Sequence, residues 1–185
     1  MHAGDAVVVF GAGGVGLNAV SGARIAGASR IVAIDLQPKR LEAAKQFGAT
    51  DVIDSIKADP VEAVRALLPG GADHVLDFVG LKAVAEQGLA MLGAGGGLYL
   101  VGVAKPGVSL DLKIFDAIGG QKRVQGVNYG STNFKTDIPM YAELYLQGRL
   151  NLDDLVSKRI ALRDVNDGYA ALKSGSLNRV VVTSF

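Results

Sequence analysis

An unbroken apolar run, Ala6-Val7-Val8-Val9-Phe10, passes directly into Gly11-Ala12-Gly13-Gly14-Val15-Gly16, and this junction constrains the chain more than any other feature. Consecutive β-branched residues without alternation fit a strand buried on both faces, as in a parallel sheet covered by helices. The glycines permit a sharp turn, and Val15 to Ala26 then reads as a helix. Strand, glycine turn and helix in that order begin a βαβ unit.

The rhythm repeats. Arg30 to Ile34 is a second predicted strand and Lys39 to Phe47 a second helix, closed by Gly48 as C-cap. Val52-Ile53 is a short third strand. Asp59-Pro60 opens a helix through Leu68, with cap and first-position chemistry in place, and Pro69-Gly70-Gly71 stops it. His74 to Phe78, Leu98 to Val103 and Val124 to Val127 are the remaining strands, with a helix over Ala83 to Met91. This alternation predicts an α/β fold, a doubly wound six-stranded parallel sheet of the Rossmann type. After Asn128 the pattern changes to a helix over Thr136 to Gln147, a strand over Arg159 to Leu162, a helix over Val165 to Lys173 and a strand over Val180 to Thr183. The expected organisation is a nucleotide-binding domain over 1–148 and a short C-terminal α+β appendage over 149–185.

Composition narrows the function classes. Of 185 residues 49% are hydrophobic and 20% charged, enough for a packed core. A net charge of +1 gives no reason to expect nucleic acid or an anionic membrane as partner. No apolar run approaches the roughly 20 residues of a membrane span, and no secretory signal is visible, so a cytoplasmic location is expected. There is no cysteine, which removes disulfides, thiolate zinc sites and cysteine nucleophiles from this chain. His2 and His74 are too few for a convincing triad or metal cluster. Core strand material begins at Ala6 with almost no lead-in, as expected of a piece cut from a longer protein.

Gly11, Gly13 and Gly16 match G-x-G-x-x-G in the strand–turn–helix context that gives this pattern its meaning. Gly11 allows the tight turn, Gly13 admits a pyrophosphate close to the backbone, and Gly16 lets helix and sheet approach. The helix N-terminus offers free N–H groups to the phosphates. Asp35 ends the second strand, where the fingerprint places an acidic residue about 20 residues on. Its carboxylate suits the adenosine ribose hydroxyls and repels a 2′-phosphate, which selects NAD over NADP. Arg40 nearby is able to receive a 2′-phosphate, to touch the ribose, or simply to decorate a helix. Asp77, Gly80 and Gly102 lie at carboxyl ends of strands, where ligands bind such sheets, but turn chemistry explains them equally well.

Val7 to Asp54, with VVVFGAGGVGLNAV and GASRIVAIDLQPKRLEAAKQFGATDVID, resembles the cofactor domain of medium-chain, zinc-dependent alcohol dehydrogenases, closest to the formaldehyde dehydrogenase branch. GADHVLDFVG, LYLVGV, LYLQGRLNLDDLVSKRI and LNRVVVTSF extend the resemblance over essentially the whole chain. It implies that Gly11, Gly13, Gly14 and Val15 form the pyrophosphate loop and that Asp35 and Arg40 contact the adenosine ribose. By the same resemblance Phe78 and Val79 form an apolar wall, and Val101, Val103, Val127 and Tyr129 surround the nicotinamide. Arg179 would pair with the pyrophosphate. The catalytic zinc belongs to a separate domain of the parent enzyme. This chain would hold NAD and no metal, and would be inactive alone. The resemblance also implies a homodimer through residues 108–112, where Val108, Leu110 and Leu112 alternate with Ser109 and Asp111. A zinc-independent quinone or enoyl reductase, a nucleotide-sensing module and a methyltransferase remain as alternatives. Small alcohols or aldehydes are the expected substrates of the full protein.

Overall fold

The computed structural model describes residues 1–175 and 177–185. Six strands form one parallel sheet: β1 (Ala6–Phe10), β2 (Arg30–Asp35), β3 (Asp51–Asp54), β4 (Ala72–Asp77), β5 (Leu92–Leu100) and β6 (Arg123–Gly126), in the order β3-β2-β1-β4-β5-β6. The connections are α1 (Gly14–Ile25), α2 (Pro38–Phe47), α3 (Pro60–Leu67), α4 (Lys82–Met91) and α5 (Ile114–Gly119). This is the strand order of the Rossmann fold, with the chain reversing direction across the sheet between β1 and β4.

Burial explains the strand assignment. Val7, Val8 and Val9 are wholly buried, as a central strand covered on both faces requires. Val8, Phe10, Val32, Ile34 and Leu98 join Val64 of α3 and Leu89 of α4 in one core. On the other face α1 comes close to β1, for a Cβ on Gly16 would stand 3.5 Å from Val9 Cγ1. The helix ends follow the expected chemistry. Asp59 accepts the Glu62 N–H at 2.9 Å and Pro60 occupies the first turn of α3. Gly48 ends α2 with φ +114°.

Three expectations need correction. Residues 108–112 form no strand. The sheet edge beside β5 is taken by β6, so the segment has no ladder neighbour; only Leu110 reaches the core, and Asp111 is held by Lys82 Nζ at 3.0 Å. The helix α5 was not anticipated. The fifth strand begins earlier, at Leu92, and stops at Leu100 rather than Val103, because the Val101 and Gly102 N–H groups turn back to the Asp77 carbonyl at 2.9 and 2.8 Å.

The chain forms two compact units, Met1–Asp137 and Ile138–Phe185, divided within α6 (Phe134–Leu146). In the second, β7 (Lys158–Ala161) and β8 (Val180–Ser184) pair in parallel with each other, joined through α7 (Val165–Lys173). The helix packs closely on the pair at Gly168, where a Cβ would meet Ile160 Cδ1 at 2.8 Å. Leu155 and Ile160 are its buried centre. Among the described residues no helix is long and apolar enough to cross a membrane.

Candidate cofactor-binding site

A crevice of about 580 Å³ opens at the carboxyl ends of β1, β2 and β4, the position at which open α/β sheets receive ligands. It is lined by the glycine loop after β1, by Asp35 and Arg40 after β2, and by Phe78 and Val79 after β4.

The three fingerprint glycines are required for different reasons. Gly11 has φ +88° and donates its N–H to the Ile34 carbonyl at 2.8 Å, tying the turn to β2. At Gly16 a Cβ would lie 1.9 Å from the Gly11 carbonyl oxygen, so the close approach is chiefly to the loop and secondarily to the sheet. At Gly13 a Cβ would meet nothing within 4 Å. The protein's own packing therefore does not demand glycine there, whereas a pyrophosphate lying against the backbone does. The N-cap of α1 is Gly13 itself, with no side-chain cap bond and no acidic residue in the first turn. The first N–H groups of α1 thus lack a side-chain acceptor and stand beside the crevice, an arrangement that favours anionic phosphate.

Asp35 is the last residue of β2 and is 7% exposed. Its Oδ2 accepts the Ala12 N–H at 2.9 Å and its Oδ1 accepts the Gln37 N–H at 2.9 Å. One carboxylate therefore anchors the glycine loop and the start of α2 together. Arg40 Nη1 lies 3.6 Å from Asp35 Oδ2, and Arg40 Nε is buried without a hydrogen-bond partner among the described residues. The guanidinium is thus drawn toward the carboxylate, which limits its use as an open phosphate clamp.

The structure gathers Gly11, Gly13, Gly14, Val15, Gly16, Asp35, Arg40, Phe78 and Val79 around one crevice. The remaining sequence candidates lie outside its lining. Val101 and Val127 follow β5 and β6 and are half-buried, while Val103 and Tyr129 are 95% and 92% exposed. Arg179 is exposed and belongs to the second unit. Leu36, Ser55, Val84 and Gln87 line the crevice without having been anticipated. Leu36 had a signal in its position, an apolar residue directly after the acidic strand end, and the structure leaves it 59% exposed. Val84 and Gln87 lie on α4, and nothing in their sequence context marks them. Among the described residues no group of three or more His, Asp or Glu side chains is gathered to hold a metal ion.

The family model for zinc-binding dehydrogenases matches residues 14–144. An S-(hydroxymethyl)glutathione dehydrogenase from Synechocystis is 35% identical over 182 residues, which cover 97% of this chain and 49% of the relative. A benzyl alcohol dehydrogenase from Acinetobacter calcoaceticus superposes with a TM-score of 0.95 at 34% identity, over 100% of this chain and 51% of that one. A structure from Sinorhizobium meliloti, assigned to the zinc-binding dehydrogenases and bound to NADP, superposes with a TM-score of 0.83 at 30% identity over 90% of this chain and 48% of its own. The chain spans about half the length of the curated relatives it matches.

Proposed function

Because this chain belongs to the zinc-binding dehydrogenase family, we propose that it supplies the NAD(H)-binding half of an alcohol dehydrogenase, an oxidoreductase that moves a hydride between an alcohol or aldehyde and NAD. The observation that carries this reading is the open position at Gly13, bordered by the uncapped start of α1 and by buried Asp35. In this reading residues 1–148 are the cofactor domain, and 149–185 the segment that meets a catalytic domain carrying the zinc.

The nicotinamide cofactor supplies the hydride acceptor or donor. The residues of this chain bind and orient it. The glycine loop and the α1 N-terminus hold the pyrophosphate, Asp35 accepts from the adenosine ribose, and Phe78 and Val79 exclude water on the nicotinamide side. Val101, Val103, Val127 and Tyr129 complete the nicotinamide surroundings, and Arg179 pairs with the pyrophosphate. These last five assignments rest on the family resemblance. A zinc ion in a separate catalytic domain would supply Lewis-acid polarisation of the alcohol or aldehyde oxygen.

NADH is the preferred form, because Asp35 places a fixed negative charge where NADP carries its phosphate. The NADP-bound relative makes this discrimination the decisive test. Titrating the chain with NADH and with NADPH by fluorescence is expected to give clearly tighter binding of NADH. Equal affinities would overturn the preference, and failure to bind either would overturn the cofactor reading. A homodimer formed through residues 108–112 and a cytoplasmic location belong to the same proposal. The support for the dimer is the alternating sequence of the segment and the exposed strand β6 at the outer edge of the sheet.

A further inference from the structure

Asp77 is 1% exposed and ends β4, between Phe10 of β1 and Leu100 of β5. Among the described residues it has no ion-pair partner. Its Oδ1 accepts two backbone N–H groups instead, from Val79 at 2.7 Å and Gly80 at 3.1 Å. Its own carbonyl accepts two more, from Val101 at 2.9 Å and Gly102 at 2.8 Å. One buried residue therefore fixes both the turn after β4 and the turn after β5.

Those turns are in backbone contact. A Cβ on Gly102 would stand 2.4 Å from the Gly80 nitrogen and 2.7 Å from the Val79 carbonyl carbon, and one on Gly80, at φ +75°, would stand 2.8 Å from the Gly102 carbonyl carbon. Val79, whose N–H donates the shorter of the two bonds to the carboxylate, lines the crevice and reaches toward the glycine loop, its Cγ2 only 3.1 Å from where a Gly11 Cβ would be. Removing the carboxylate takes the acceptor from two part-buried donors in the turn that carries this wall. In a doubly wound sheet the two halves of a dinucleotide bind on either side of the reversal point. Asp35 serves the β2 side and Asp77 stands on the β4 side.

Resting on the NAD(H) reading above, we infer that Asp77 is a positioning residue for the nicotinamide half of the cofactor, acting through Val79 and the turn at Gly102. A purely structural role would loosen the whole site. A positioning role weakens the dinucleotide and spares the adenosine half.

The test compares NADH with AMP on the complete 185-residue chain, each measured by titration calorimetry. Asp77→Ala is expected to weaken NADH roughly tenfold, equivalent to about 1.4 kcal/mol, with AMP affinity unchanged. Asp77→Asn, whose amide oxygen accepts the same two N–H groups, is expected to restore most of the NADH affinity. Asp77→Ser keeps a shorter acceptor and is expected to show an intermediate, NADH-selective loss. Undiminished NADH binding in the alanine or serine variant, or parallel losses of NADH and AMP, would overturn the inference. Failure of the unsubstituted chain to bind NADH would instead overturn the cofactor reading itself.

Discussion

Gly13 and Gly16 stand three positions apart and exclude side chains for different reasons, which substitution separates. At Gly16 the obstacle is the Gly11 carbonyl oxygen, 1.9 Å from an added Cβ. Gly16→Ala is therefore expected to cost stability, at least the roughly 1–3 kcal/mol of an overpacked site, measured by urea unfolding. At Gly13 there is open space. Gly13→Val is expected to leave the unfolding midpoint nearly unchanged and to abolish NADH binding, because its branched side chain takes the volume the pyrophosphate needs. Unchanged NADH affinity by calorimetry would mean that Gly13 does not face the phosphates. The motif already assigns Gly13 to the ligand and Gly16 to packing; what spacing does not show is that the nearest obstacle at Gly16 is the Gly11 carbonyl oxygen rather than the sheet. Asp35 shows the same limit. The motif marks it as a ribose acceptor, while its bond to the Ala12 N–H at 2.9 Å joins residues far apart in sequence and has no local signature. Asp35→Ser accordingly has two effects, narrowing the NADH–NADPH gap by removing the charge and slackening the glycine loop for both. Titrations with the two cofactors are expected to show NADH weakened more than NADPH is strengthened.

At the scale of elements, legibility followed burial. β1 and β2 were visible because Val7 to Phe10 and Ile31 to Ile34, their buried runs ahead of Asp35, are apolar throughout. The helix α3 announced its start through Asp59 and Pro60. Asp59→Ala is expected to destabilise by about 1 kcal/mol, the usual effect of losing an N-cap acceptor. By contrast α5 spans six residues with none buried, so no apolar period marks it against its surroundings. Residues 108–112 misled for the opposite reason. Their alternation is a strand pattern, yet a strand also needs a ladder, and β6 occupies the edge. The entry to β1 carries a pH dependence that no pattern reveals. Asp5 Oδ2 accepts the His2 N–H at 2.6 Å and lies 2.8 Å from His74 Nε2, and these two contacts hold its carboxyl below the ordinary 3.8. A carboxylate lowered in the folded state stabilises above its unfolded value and loses that contribution as pH falls through the folded one. The stability difference between the unsubstituted chain and Asp5→Asn is thus expected to persist at pH 5 and to vanish progressively below about pH 3.8 in urea titrations. A difference independent of pH would remove Asp5 ionisation from the account.

For the whole molecule, the fold of Met1–Asp137 was readable because each βα step repeats one physical requirement, an apolar strand covered by an amphipathic helix. What the chain does in company is less directly encoded. It has no cysteine, and its described residues gather no metal-binding group. On the proposed reading, in which the zinc belongs to a separate domain, the purified chain is expected not to oxidise alcohols, with or without added zinc, while still binding NADH. Turnover well above a blank, in a preparation cleared of host dehydrogenases, would place catalytic groups on this chain after all. The same separation applies to assembly. In the proposed dimer residues 108–112 become a strand only when a second copy supplies the ladder that β6 denies them within one chain. Leu110 also packs on the core, so Leu110→Pro would confuse loss of pairing with loss of folding. Ser109 is exposed, and Ser109→Pro removes a backbone donor from the segment without withdrawing apolar contacts. Sedimentation at micromolar concentration is expected to give a dimer for the unsubstituted chain and a monomer with unchanged NADH affinity for Ser109→Pro. A monomer for the unsubstituted chain would reject the dimer. A dimer surviving Ser109→Pro would move its interface elsewhere, with the exposed face of α5, where Ile114, Phe115 and Ile118 are 73%, 87% and 72% exposed, the next surface to mutate.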